Sequence, residues 1–131
     1  MTPEPIRVEP FSRHLEARNV PISPAVRCAG LVYVSQQPPY DPVTGTIERQ
    51  SIARQTEIVI EQMKLCLETA GSSLDHVLKC NVYCTSVEKF AAVNEVYRRY
   101  FPKDPPARIF VNVPAWPGRF DIEIDCVAAV R

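Results

Sequence analysis

The sequence predicts an α+β domain: a single domain with one mixed β-sheet and two helices packed on one of its faces, in the order β-β-α-β-α-β-β. Three observations carry this reading. Residues 51–70 hold apolar side chains at helical intervals, residues 77–85 alternate as a strand does, and proline clusters at 3–24, 38–42, 102–106 and 114–117 mark loops between packed segments. Two helices that alternate with strands return to the same side of a sheet, because β-α-β crossovers are right-handed. The other face is then left without cover. On a chain of 131 residues, with room for one core, this predicts association between copies through their sheets.

Residues 1–20 read as an irregular arm and residues 21–131 as the domain proper. Residues 25–35, Ala-Val-Arg-Cys-Ala-Gly-Leu-Val-Tyr-Val-Ser, form a hairpin turning at Ala29-Gly30. The proline and Asp/Gly chemistry of residues 36–45 ends the second strand. In the first helix Ile52, Thr56, Val59, Met63, Cys66 and Ala70 share a face, charged residues line the other, and Gly71 is placed as a left-handed cap. In the next strand Leu78, Cys80, Val82 and Cys84 are expected to face the helices. Thr85-Ser86-Val87-Glu88 has capping-box spacing and leads into a second helix over residues 87–101, where Phe90, Val93, Asn94, Tyr97 and Phe101 repeat. Residues 108–113 and 120–130 read as two strands joined by Pro114-Ala115-Trp116-Pro117-Gly118, which are expected to pair as a hairpin.

Composition removes several function classes. Fifteen basic and fifteen acidic residues give a formal charge of zero, without the long-range field that gathers nucleic acid. No run of about eighteen apolar residues spans a bilayer, and residues 1–20 lack the apolar core of a signal peptide, so a cytoplasmic protein with no membrane partner is expected. The five cysteines lack paired spacing and only two histidines accompany them, so the thiols are read as free and buried, with no metal site. Ser35 has neither a Gly-x-Ser-x-Gly elbow nor a neighbouring histidine, which argues against a serine hydrolase. The four glycines form no phosphate-cradling loop.

Arg108 and Glu123 are the first candidates for chemistry. Pairing of their strands about the loop would bring the guanidinium within reach of Glu123 and Asp125. A cross-strand ion pair is the reading that spacing alone favours. The functional alternative is an Arg whose planar fork holds a substrate carboxylate while Glu123 orients a water. Asn94 lies on the apolar stripe of the second helix, where its amide needs partners.

Several segments together resemble the RidA (YjgF) family of imine/enamine deaminases, also known as the endoribonuclease L-PSP family. They are Leu31-Val32-Tyr33-Val34-Ser35-Gln36-Gln37-Pro38 with Asp41-Pro42 and Thr44-Gly45 after it; Gln55; the run from Ala70 to Lys79; the run from Phe90 to Tyr97 with Tyr100-Phe101; Pro106-Ala107-Arg108; and Ile122-Glu123-Ile124-Asp125. The resemblance covers residues 21–130. It implies a chorismate-mutase-like fold and a homotrimer with ligand clefts between subunits. The implied activity is cofactor-independent hydrolysis of 2-imino or enamino acids such as 2-aminoacrylate to 2-keto acids and ammonia. By the same resemblance Arg108 holds the substrate carboxylate, Glu123 positions water, and Ser35 and Asn94 complete the site. Three positions depart from the family: Ile22 stands for a tyrosine, Gln36 for a glycine and Phe110 for a cysteine. These changes favour a larger or more apolar substrate. Two other readings stay open, a carboxylate-binding trimer without catalysis and a ribonuclease; the neutral charge gives the latter little footing.

Overall fold

The computed structural model describes residues 1–47 and 49–131. It contains β1 (Glu4–Ile6), α1 (Phe11–Ala17), β2 (Ala25–Cys28), β3 (Leu31–Val34), α2 (Ile52–Thr69), β4 (Val77–Cys84), α3 (Phe90–Tyr100), β5 (Ala107–Asn112) and β6 (Ile122–Ala129). The strands make one mixed sheet in the order β1-β2-β3-β6-β4-β5. From β2 onward the element order is the one expected. Among the described residues no helix is long and apolar enough to cross a membrane.

The hairpin turns where expected, with both Ala29 (φ 54°) and Gly30 (φ 79°) in the left-handed region that a two-residue turn between twisted strands requires. Ser51 caps α2 by accepting a hydrogen bond on Oγ from the Arg54 N–H at 3.1 Å. At the other end Gly71 (φ 86°) lets its own N–H reach the Glu68 carbonyl and the Ser72 N–H reach that of Leu67, a Schellman closure. The face of α2 bearing Val59, Ile60, Met63, Cys66 and Leu67 is buried against β3 and β6. With Val32, Val82, Ile122 and Ile124 these residues form the core between helices and sheet.

Four local expectations are corrected. The arm is not irregular: β1 pairs antiparallel with β2, and α1 buries Phe11 and Leu15. A three-residue strand and a seven-residue helix without a side-chain cap are too short to leave a periodic signal. Leu78 is exposed, because a bulge between Val77 and Lys79 turns Val77 inward in its place. The capping residue is Ser86, and it caps the 3-10 turn Val87–Lys89 that precedes α3: its Oγ accepts from the Glu88 N–H at 3.1 Å, while α3 itself starts at Phe90 without a side-chain cap. The Thr85 hydroxyl donates instead to Asp121 Oδ1 at 2.9 Å.

The fourth correction matters most for function. β5 and β6 do not pair as a hairpin. The right-handed β4-α3-β5 crossover lays β5 parallel to one side of β4, and β6 runs antiparallel along the other side while also pairing with β3. A buried strut fixes the entry to β6. The Gln55 Nε2 donates to Asp121 Oδ2 at 3.0 Å and to the Gln50 carbonyl at 2.8 Å, while Gln55 Oε1 accepts from the Asp121 N–H at 2.7 Å.

Candidate active site

Arg108 lies opposite Cys80 on β4, which in turn lies opposite Cys126 on β6. Paired residues share a face, so Arg108 points to the helix side of the sheet, not to the uncovered side. There α3 meets it with aromatic rings. The guanidinium carbon sits 4.8 Å from the centre of the Tyr97 ring and 5.5 Å from that of Phe90. Phe110, next along the same face of β5, meets Phe90 edge-on with ring centres 5.1 Å apart. Asn94, half-buried, falls between Phe90 and Tyr97 on the same stripe of α3. Among the described residues no carboxylate forms an ion pair with Arg108. The guanidinium thus lies over two rings, which stabilises a cation by roughly 0.5–2 kcal/mol, and among the described residues no carboxylate pairs with its N–H groups.

A second group gathers where β3 ends. The Ser35 hydroxyl donates to the Ser23 carbonyl at 2.7 Å, and the Ser35 N–H donates to the Pro24 carbonyl at 2.9 Å, so this serine ties the segment before β2 to the sheet. Ile22, in that segment, is 47% exposed. Gln36 is exposed, and with Ser35, Asn81 and Asp125 it lines a hollow of about 300 Å³ on the uncovered face.

Glu123 is opposite Tyr83, three residues along β4 from Cys80, and therefore lies on the face away from Arg108. The ion pair that spacing favoured does not form. The cause is the pairing of β5 with β4 rather than with β6. Glu123 is only 6% exposed, and burial first, then the neighbouring Asp125 charge, push its carboxyl up to about 7. Asp125 accepts hydrogen bonds from Asn81 Nδ2 at 2.6 Å and from the Tyr83 hydroxyl at 3.1 Å.

The seven expected site residues therefore fall into two sets. Arg108, Phe110 and Asn94 come together between α3 and β5. Ser35, Gln36 and Ile22 cluster by the end of β3, and Glu123 lies on the adjacent strand β6. From β3 to β5 is three strand spacings, about 14 Å, and Arg108 and Glu123 point to opposite faces. A three-carbon acid cannot touch both within one chain. Phe90 and Tyr97, which brace Arg108, and the Asn81–Asp125–Tyr83 cluster were not singled out from sequence. The periodicity of α3 placed both aromatics on one stripe, but their role depends on which strand lies beneath.

The remaining chemistry-bearing groups are remote or quiet. A cavity of about 610 Å³ between α1, the 40–45 loop and α2 contains none of the expected site residues. All five cysteines are free. Burial pushes the Cys66 thiol up to about 12 and that of Cys80 up to about 11. Among the described residues no group of three or more His, Cys, Asp or Glu side chains is gathered to hold a metal ion.

The fold recurs in known proteins. The chain is 42% identical over 108 residues to a RutC family protein of Pyrococcus abyssi, a match covering 82% of this chain and 85% of that one. It is 34% identical over 110 residues to the Reactive Intermediate Deaminase A, chloroplastic, of Arabidopsis thaliana, covering 84% of this chain and 59% of that one. Among solved structures, yeast YEO7 superposes with a TM-score of 0.88 at 36% identity, covering 99% of this chain and 100% of that one. E. coli TdcF with bound serine gives a TM-score of 0.78 at 30% identity, covering 85% and 89%. The pattern of the family described as Endoribonuclease L-PSP matches residues 13–130, and the chain belongs to this family, the RidA (YjgF) family.

Proposed function

We propose that the protein hydrolyses reactive 2-imino and enamino acids to 2-keto acids and ammonia, at a site closed by two copies of the chain. The observation that carries this is Arg108, a guanidinium braced by Phe90 and Tyr97 with no acidic partner among the described residues. Such an arrangement suits a small carboxylate, and serine is the molecule bound in the TdcF structure. Membership of a family that includes a reactive intermediate deaminase supports the same reaction class.

The reaction asks little of the protein. An enamino acid takes a proton on its β-carbon to become the protonated imine, an iminium. Water then adds to the C=N carbon as Glu123 accepts one of its protons. The amino alcohol so formed takes that proton back on its nitrogen and expels ammonia, while its hydroxyl gives up its own proton to Glu123 and on to the released ammonia as the C=O bond of the keto acid forms. Arg108 fixes the carboxylate, which removes most of the orientational freedom of the substrate, and Glu123 works close to its own pKa of about 7. Because the two residues face opposite sides of one sheet, Glu123 of a second copy completes the site of the first. A homotrimer with three such clefts satisfies this geometry. Phe110 gives the wall beside Arg108 an aromatic surface, favouring imino acids with apolar side chains.

The test is ammonia and keto-acid release from 2-aminoacrylate generated in situ by a serine dehydratase, beside imines generated by oxidation of leucine or phenylalanine. The wild type is expected to accelerate release and Arg108→Ala to abolish the effect. Glu123→Gln should still bind a keto acid but release no ammonia. Failure of the wild type on every imine would overturn the proposal.

A further inference from the structure

Two carboxylates share the uncovered face of β6, and they are held very differently. Asp125 is clamped on both oxygens, Oδ1 by Asn81 and Oδ2 by Tyr83. Glu123 is more deeply buried, yet no side chain among the described residues donates a hydrogen bond to it. Residues two apart on a strand have Cα atoms about 7 Å apart, within range for one charge to govern the other in a poorly solvated place. Tyr83 connects the pair physically, because it lies directly across from Glu123 while its hydroxyl reaches Asp125.

We propose that Asp125 is a positioning residue for the reaction: its carboxylate, clamped by Asn81 and Tyr83, sets the pH at which Glu123 takes up and returns the proton of the attacking water. This rests on the deaminase reading above. Donors on both Asp125 oxygens immobilise the charge, and its direction relative to Glu123 is fixed by the strand itself. Among the described residues, the other titratable groups that feel the Glu123 charge are Tyr83 on β4 and Tyr40 in the loop after β3. Burial raises both hydroxyls; the Asp125 and Glu123 charges raise Tyr83 further, and the Glu123 charge Tyr40. Among the described residues no Lys, Arg or His forms an ion pair with Glu123 to offset Asp125.

The experiment compares the full-length wild type, Asp125→Asn and Asp125→Glu by two readouts. One is the pH profile of imine turnover. The other is the titration of the Glu123 carboxyl carbon by NMR, using chain labelled with ¹³C at glutamate and assigned with Glu123→Gln. Asparagine keeps the size of the side chain and an acceptor for Tyr83. Its expected effect is to move the acidic limb and the Glu123 titration together to lower pH by about half to one unit. At pH 6 the variant would then retain a roughly three- to five-fold larger fraction of its maximal rate than the wild type does. Asp125→Glu should restore both readouts. A Glu123 titration unmoved by Asp125→Asn would overturn the proposal, as would a moved titration with an unmoved limb. Absence of turnover in the wild type would instead overturn the deaminase reading, and the NMR titration would still decide the coupling.

Discussion

The buried Glu123 carboxyl should cost the fold stability at neutral pH, and Glu123→Gln exposes that cost. In the folded chain its pKa rises from 4.5 to about 7. The folded state therefore binds more protons than the unfolded state between those values, and the free energy of unfolding falls as pH rises through that window. Below pH 4.5 the carboxyl is protonated in both states and nothing is lost. Above about pH 7 the whole penalty applies, and at 1.36 kcal/mol per unit the shift corresponds to about 3 kcal/mol. With 6% of the residue exposed, solvent screening reduces this little. Glutamine has the same shape and does not titrate. The assay is urea unfolding of wild type and Glu123→Gln followed by circular dichroism, at one fixed chain concentration, at half-unit steps from pH 4.5 to 8. The variant should gain on the wild type by about 3 kcal/mol across the window, most of it between pH 5 and 7. A difference that stayed flat to within about 0.5 kcal/mol would refute the account of Glu123 as a carboxyl that burial keeps protonated.

Two substitutions test the supports of the site. Gln55→Leu fits the buried position in size but strands the Asp121 N–H and one carboxylate oxygen, so urea unfolding should show a loss of about 2–4 kcal/mol. Phe90→Ala removes a ring from Arg108 and from Phe110. Steady-state kinetics should show KM for the imino acid raised about three- to ten-fold, with kcat changed less, because a cation–π contact contributes to holding the carboxylate rather than to the water step.

Much of the architecture was legible from residue patterns, and the missing parts share a cause. The periodicity of α2, the Gly71 closure and the Ala29-Gly30 turn are local facts written into adjacent residues, and each recurs in the structure. Strand partners are not local. The residues 114–118 look like a hairpin loop, yet β6 enters the sheet two places away from β5, steered by the contacts of Asp121 with Gln55 and Thr85. Without that pairing, Arg108 and Glu123 are assigned to one face, and their separation onto two cannot be seen. The roles of Phe90 and Tyr97 are hidden for the same reason, since they acquire meaning only once β5 lies under α3. Arg108, Glu123 and Asn94 stand out from strand spacing and helical periodicity, but joining them with Ser35 into one site rested on the family resemblance, because no spacing rule connects residues so far apart in sequence.

The short strand β1 governs how the sheet behaves in a crowded solution. It covers the outer edge of β2, and its middle residue, Pro5, offers no N–H to another chain. Its neighbour Glu4 adds a charge, engaged by Arg27 at 3.0 Å. This end of the sheet is thereby unfit to template a further strand, and the six-residue β5 is left as the one long edge. A sheet that can be extended at a single end cannot build a continuous ribbon from identical copies. The first strand thus closes this end of the sheet to edge-to-edge extension.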